Sequence, residues 1–383
     1  MNGKTRFALE RRAISLAIAS CFAAGSALAN PVGPQVVNGQ VSMVQNGNLL
    51  QIANSPNAII NWQGFSIGAS EITRFIQQSS ASAVLNRVTS QNPSAILGAL
   101  QSNGRVFLLN PNGIVFGAGS QVDVAGLVAS SLSLSNADFL AGRYNFTATP
   151  GSGSVVNQGS INAAQGGNVY LVGPAVTNNG IITTPKGEVV LAAGNSVELV
   201  DPGTPNLRVV IDAPDNKAVN LGHIVADSGR VGIYAGLIDH SGTIRADSAE
   251  LGAEGQIVLK ATKRVNLEAG SLLSATGSNG ANGGFIETSA EEVAIDPGAV
   301  VTTVAPQGNT GTWLIDPQDY TIAAGGGDIT GSQLSSNLST NNVILSSSGG
   351  TAGSGDINVN DAVSWSANTL TLTAAHEIGR AHV

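Results

Sequence analysis

Residues able to do chemistry are few in this chain of 383 residues. His223 and His240 fall on different positions of successive repeats. A shared metal or haem ligand role is therefore set aside in favour of exposed polar corner residues. Cys21 is the only cysteine, and it lies in a segment that reads as a removable leader, which excludes thiol catalysis in what remains. The carboxylates gather as Asp247, Glu250 and Glu254, and as Glu291, Glu292 and Asp296. Sugar chemistry would need two carboxylates facing across a cleft, or a calcium cluster with a basic partner. These acids instead fall in loops between repeat strands, as solvated corners would. No H-E-x-x-H, EF-hand loop or local Ser-His-Asp set stands in the sequence. The expectation is a chain that is not an enzyme and needs no cofactor. A secreted polysaccharide-active β-helix enzyme and a haem- or metal-acquiring exoprotein are the alternatives.

The elements that would position such residues repeat from Val155 onward. Gly159, Gly180, Gly222, Gly242, Gly270 and Gly298 align, each followed two residues later by Ile161, Ile182, Ile224, Ile244, Leu272 and Val300. Four after the glycine stand Ala163, Thr184, Ala226, Ala246, Ser274 and Thr302, all small. Two before it stand Asn157, Asn178, Asn220, His240, Glu268 and Asp296, all polar. A second apolar strand follows in most units, such as Val169-Tyr170-Leu171 and Val189-Val190-Leu191. One such unit cannot bury its own apolar side, but units stacked about 4.8 Å apart form an interior aliphatic ladder. The reading is all-β, a right-handed parallel β-helix with an N-terminal cap. The asparagines are expected to form a ladder of amide bonds, with Asn178 and Asn220 at outward corners. The 42-residue gap from Gly180 to Gly222 reads as a double step, its missing copy distorted around Asp201–Pro205. One or two helical turns are expected over Pro93–Leu100 and another over Asp138–Arg143. Together with Glu71–Val88, these irregular pieces are expected to cover the first coil.

Before the repeats stands Arg105–Gly119, RVFLLNPNGIVFGAG. Two apolar runs flank Asn110-Pro111-Asn112-Gly113, which has the residue types of a tight turn, so Ile114 restarts a strand. In order around it come Asn57–Gly68 (NAIINWQGFSIG, with Asn61 and Trp62), Val84–Val88 (VLNRV, with Asn86 and Arg87) and Gly126–Ser131 (GLVASS). From about Val36 to Leu140 this succession resembles the N-terminal secretion domain of two-partner secretion exoproteins, the filamentous haemagglutinin family. The resemblance implies a secreted or surface-exposed bacterial adhesin or haemagglutinin. It also implies export through an outer-membrane β-barrel transporter with periplasmic docking domains. Asn110 to Ile114 become the expected secretion-recognition motif, and Asn61, Trp62, Asn86 and Arg87 a second family motif.

Targeting and composition agree. Lys4, Arg6, Arg11 and Arg12 precede an apolar stretch, and Ala27-Leu28-Ala29 places signal cleavage between Ala29 and Asn30, implying the general export machinery. The formal net charge of −8 does not invite nucleic acid. A host-cell or surface receptor is the remaining class of partner. Gly is 48 residues and aromatics are 4%, which favours thin coils stacked by aliphatics over a globule built on aromatic anchors. The expected organisation is a signal peptide over 1–29, the secretion domain with its cap over 30–150, β-helix repeats over 151–311 and a further β-rich segment over 312–376. Thr312–Ile322 (TWLIDPQDYTI) resembles a downstream segment of large haemagglutinin-like exoproteins. Residues 377–383, EIGRAHV, read as a non-native tail matching a translated sequencing adapter, with the native chain continuing.

Overall fold

The computed structural model describes residues 30–203 and 207–380. Each coil turns through up to three short strands, so the molecule is a three-faced parallel β-helix. The first face is an unbroken parallel ladder from Ala58–Trp62 through Arg105–Leu109, Asn168–Gly173 and Glu188–Ala193 to Leu370–Ala374. Eleven pairings in series make twelve rungs. The second face runs from Ser94–Ile96 through Ile114–Phe116, Ala175–Asn178 and Lys217–Asn220 to Glu292–Ile295. The third is an 11-stranded sheet ending at Val300–Thr302. On each face alternate residues point inward, and Ile161, Ile182, Ile224 and Ile244 stack fully buried in one column.

Glycines make the corners possible. A Cβ on Gly180 would collide with the carbonyl oxygen of Gly159, one on Gly222 with that of Gly180, and one on Gly242 with that of Gly222. The coils approach too closely at that edge for any side chain.

Several expectations are corrected. Pro93–Leu100 is not helical: Ser94–Ile96 and Ala99–Ser102 are strands of two different faces, because Ala95, Ile96 and Leu100 are better buried in the coil column than on a lone helical turn. Asn136–Leu140 is a helix, capped by Ser135, whose side chain accepts from the Asp138 amide. It packs on the outside of the coils, as Phe139 meets Phe107 edge-on at 5.0 Å. The cap on the first coil is made elsewhere, by two antiparallel strands, Gln35–Asn38 on Ala58–Trp62 and Val41–Asn46 on Leu49–Asn54. Glu71–Val88 supplies ordinary rungs.

The gap from Gly180 to Gly222 is a single step. Ile181–Thr183 pairs directly with His223–Val225, and the extra residues leave the coil to form Ser196–Val200 and Arg208–Asp212. These join Tyr144–Thr147 in a three-stranded antiparallel sheet. The sheet and the helix cover a second apolar cluster on the outer side of the first face, including Phe107, Tyr170 and Val190. The last two aligned units are also out of register. Leu273 and Val301, not Leu272 and Val300, continue the buried column. The corner there lengthens to a four-residue turn closed by Ser271 N donating to Glu268 O and Ala299 N donating to Asp296 O. Downstream, Ile357–Val359 and Leu370–Ala374 are strands within the expected β-rich segment, an unforeseen helix spans Gly331–Asn337, and Ile378–Arg380 pairs with Ile357–Val359.

Candidate functional site: the Asn110–Ile114 corner

Asn110-Pro111-Asn112-Gly113 turns the chain from the first face into the second. Gly113 N donates to Asn110 O at 3.0 Å, closing the turn. The flanking strands do not pair with each other; Arg105–Leu109 and Ile114–Phe116 each pair with coils above and below. The motif is therefore a coil corner and not a projecting hairpin. Asn110 is fully buried, and Pro111 and Asn112 are half-buried.

Both asparagine side chains hold backbone. Asn110 Nδ2 donates to Asn92 O at 3.0 Å and to Ser94 Oγ at 2.9 Å, while its Oδ1 accepts from the Asn112 amide at 3.0 Å. Asn112 Nδ2 donates to Ser90 O at 2.8 Å. On the other side Gly153 N donates to Pro111 O at 2.7 Å and Ile114 N to Ser154 O at 3.0 Å. Gly113 has φ +107°, and a Cβ there would lie 3.0 Å from Ser154 O. The corner is thus clamped between residues 90–94 and 153–154. Those clamping residues escaped the sequence reading, whose only signal for them was a short polar run before Pro93.

The second motif is structural in the same sense. Trp62 is buried inside the coil and its Nε1 donates to Asn86 Oδ1 at 3.0 Å; Asn86 Nδ2 donates on to Phe107 O at 3.2 Å. Trp313 repeats the arrangement near the other end, donating to Thr288 Oγ1 at 3.1 Å. Asn61 lies beside Arg87 in the ladder. Arg87 donates to Asn136 Oδ1 at 2.7 Å and to Leu134 O at 2.8 Å, tying the external helix to the coil. Burial pushes its guanidinium below the ordinary value. The structure does not gather the two motifs into one cleft; Asn86 lies within a strand of the first face, between Ile60 and Leu108, and Asn110 at a corner.

Of the cleavage pair, Ala29 lies outside the described residues. Asn30 is buried in the cap, where its Nδ2 donates to Asn48 O at 3.1 Å and its Oδ1 accepts from Thr73 Oγ1 at 2.9 Å. The histidines separate: His223 is exposed, but His240 is fully buried, against the expectation of an exposed corner. Asn178 and Asn220 are likewise buried and not outward. The acids are committed to neighbours. Asp247 accepts from Ser274 Oγ and the Thr276 amide and pairs with Arg245, Glu250 pairs with Lys186, and Glu292 with Arg264.

A family model for the TPS secretion domain matches residues 27–274. The chain belongs to the two-partner secretion family. Its fold is similar to the crystal structure of the HMW1 secretion domain from Haemophilus influenzae, with a TM-score of 0.72 and 28% identity over 91% of this chain and all of that one. A heme/hemopexin-binding protein of H. influenzae is 34% identical over 174 residues, 43% of this chain and 19% of the relative. A second protein of that name and species is 35% identical over 105 residues, 27% of this chain and 11% of the relative. The chain thus spans about a fifth or less of the curated relatives it matches. The two-partner secretion domain marks an exoprotein exported through a dedicated partner transporter, and the corner just described lies within the matched span.

Proposed function

We propose that this chain is the export module of a bacterial surface adhesin. On this reading its signal is removed between Ala29 and Asn30, and the outer-membrane barrel's periplasmic docking domains recognise the surface that the Asn110–Ile114 corner shapes. The observation that carries the reading is the clamped corner inside a TPS secretion domain. Asn110 is buried and cannot touch a partner, so it acts by position. Half-exposed Pro111 and Asn112 form the part of the motif a partner can reach. Adhesion to a host-cell or other surface receptor belongs to sequence outside this module.

The test is release into the medium from cells that also carry the barrel partner. Replacing Asn110 and Asn112 together by alanine is expected to abolish release while signal cleavage and periplasmic entry continue. Wild-type release of the double variant would end the reading. A thermal melt of the purified variant separates lost recognition from lost folding. The names of the two curated relatives favour a second reading, in which the exported passenger binds haem or hemopexin. Culture growth on hemopexin-bound haem with and without the gene distinguishes it from adhesion.

A further inference from the structure

A line of amide side chains runs through the interior along the second face. Asn157 Nδ2 donates to Asn178 Oδ1 at 2.8 Å, and Asn178 Nδ2 to Asn220 Oδ1 at 2.8 Å. Asn220 Nδ2 then meets His240 Nδ1 at 3.1 Å, and His240 Nε2 lies 3.3 Å from Leu272 O. All four side chains are fully buried.

The direction of this line is fixed at both ends by groups that cannot change role. At its start Gly159 N donates to Asn157 Oδ1 at 3.1 Å. A backbone N–H is donor only, so Asn157 must present its NH2 to Asn178, and each amide passes the same polarity on. At its end the Leu272 carbonyl is acceptor only. His240 must therefore accept at Nδ1 and donate at Nε2, which is the neutral Nε2–H tautomer. A proton on Nδ1 would set N–H against N–H. Relief would require every amide in the line to flip, and the last flip would strand the Gly159 amide.

We propose that His240 is a proton-sensitive terminator of this ladder, so that mild acid opens the β-helix at its coil. Among the described residues, the groups that favour an imidazolium are the backbone acceptors at Leu272 and Asn220, and burial outweighs both. The charged side chains nearby, Asp239 on its own strand and Lys217 and Arg264 on the two strands paired with it, occupy the other side of the sheet. There Lys217 pairs with Asp239, and Arg264 with Glu292. Glu268 begins the turn that follows Leu267, the ladder neighbour of His240. Burial lowers the His240 pKa from 6.5 to about 4. For a base whose folded pKa is depressed, the unfolded state binds the proton first. Stability is full above about pH 6.5 and falls as pH drops toward 4. With these two values, the equilibrium constant for opening rises about 30-fold between pH 8 and pH 5.

Amide hydrogen exchange on the full purified chain, corrected for intrinsic rates, tests this. Segments 217–220 and 237–244 are expected to show the about 30-fold rise, and His240→Asn, which extends the asparagine line without a titrating ring, less than about a threefold one. Equal rises in both proteins, or none in the wild type, would overturn the proposal. So that the test does not depend on the folding of H240N, imidazole nitrogen NMR on the wild type is the second measurement. The Nε2–H tautomer at pH 7 with titration well below 6 is expected, and an Nδ1–H tautomer or an ordinary titration near 6.5 refutes the assignment.

Discussion

Ile181 and Ile182 are chain neighbours with opposite fates. Ile182 is fully buried in the interior column, and Ile181 is 46% exposed on the outside of the same strand. Ile182→Asp places a charge in an apolar stack with no partner and is expected to cost about 3 kcal/mol or more, whereas Ile181→Asp should stay within about 0.5 kcal/mol. Asn178→Asp is also costly, because Asn178 is buried and not at an outward corner. It removes the donor to Asn220 Oδ1 and sets acceptor against acceptor in a buried line, a loss of about 2 kcal/mol or more. Thermal melts of the three variants check this; equal shifts for the two isoleucine variants would show the inward register to be wrong. The column from Ile161 to Ile244 was legible because a buried strand face imposes apolar identity every second residue. The burial of the asparagines was not, since an amide bonded along a ladder and one bonded to water have the same residue type. The slip at Leu272 and Val300 has a related cause. A glycine that permits close approach and one that adopts φ +81°, as Gly270 does, are identical in sequence.

At the scale of elements, the parts that leave the coil were the hardest to read. The helical turn expected over Asp138–Arg143 forms two residues earlier, as Asn136–Leu140: Ser135 caps it, and Arg143 lies beyond its end and pairs back to Asp138 at 2.7 Å. Its place outside the coils was not legible, because it depends on Phe107 and Tyr144 facing outward, a tertiary fact. The antiparallel pair Ser196–Val200 and Arg208–Asp212 was hidden in the same way, since an insertion and a distorted repeat both lengthen the gap between glycines. Arg87 is the side chain that joins helix to coil. Arg87→Ala removes two charge-assisted hydrogen bonds at that joint, about 1.5–3 kcal/mol each at most. The helix is expected to undock while the interior column persists. Trypsin should then cut after Arg143 well below the melting transition, and cleavage at the wild-type rate would assign the docking to the Phe107–Phe139 contact alone.

The whole molecule is a stack in which each coil touches only its neighbours, so stability is a sum of local terms and need not be uniform. The central rungs have neighbours on both sides and, in this protein, an external sheet as well. All six residues of Glu188–Ala193 are buried. At the far end Leu370–Ala374 pairs on one side with Asn342–Ser347 and alternates between half-buried and exposed. At the other end the antiparallel strands of the cap cover the strand edges of the first coil, which would otherwise face other chains. Opening is therefore expected to be graded and one-sided. Under rising denaturant, hydrogen exchange should release 370–374 first, then 342–347 and 312–316, with 169–172 and 189–192 last. The capped strand 58–62 should outlast 370–374, although both lie near an end. Simultaneous release of all rungs at one denaturant concentration would mean that the stack unfolds as a single cooperative unit, and the nearest-neighbour account would fall with it.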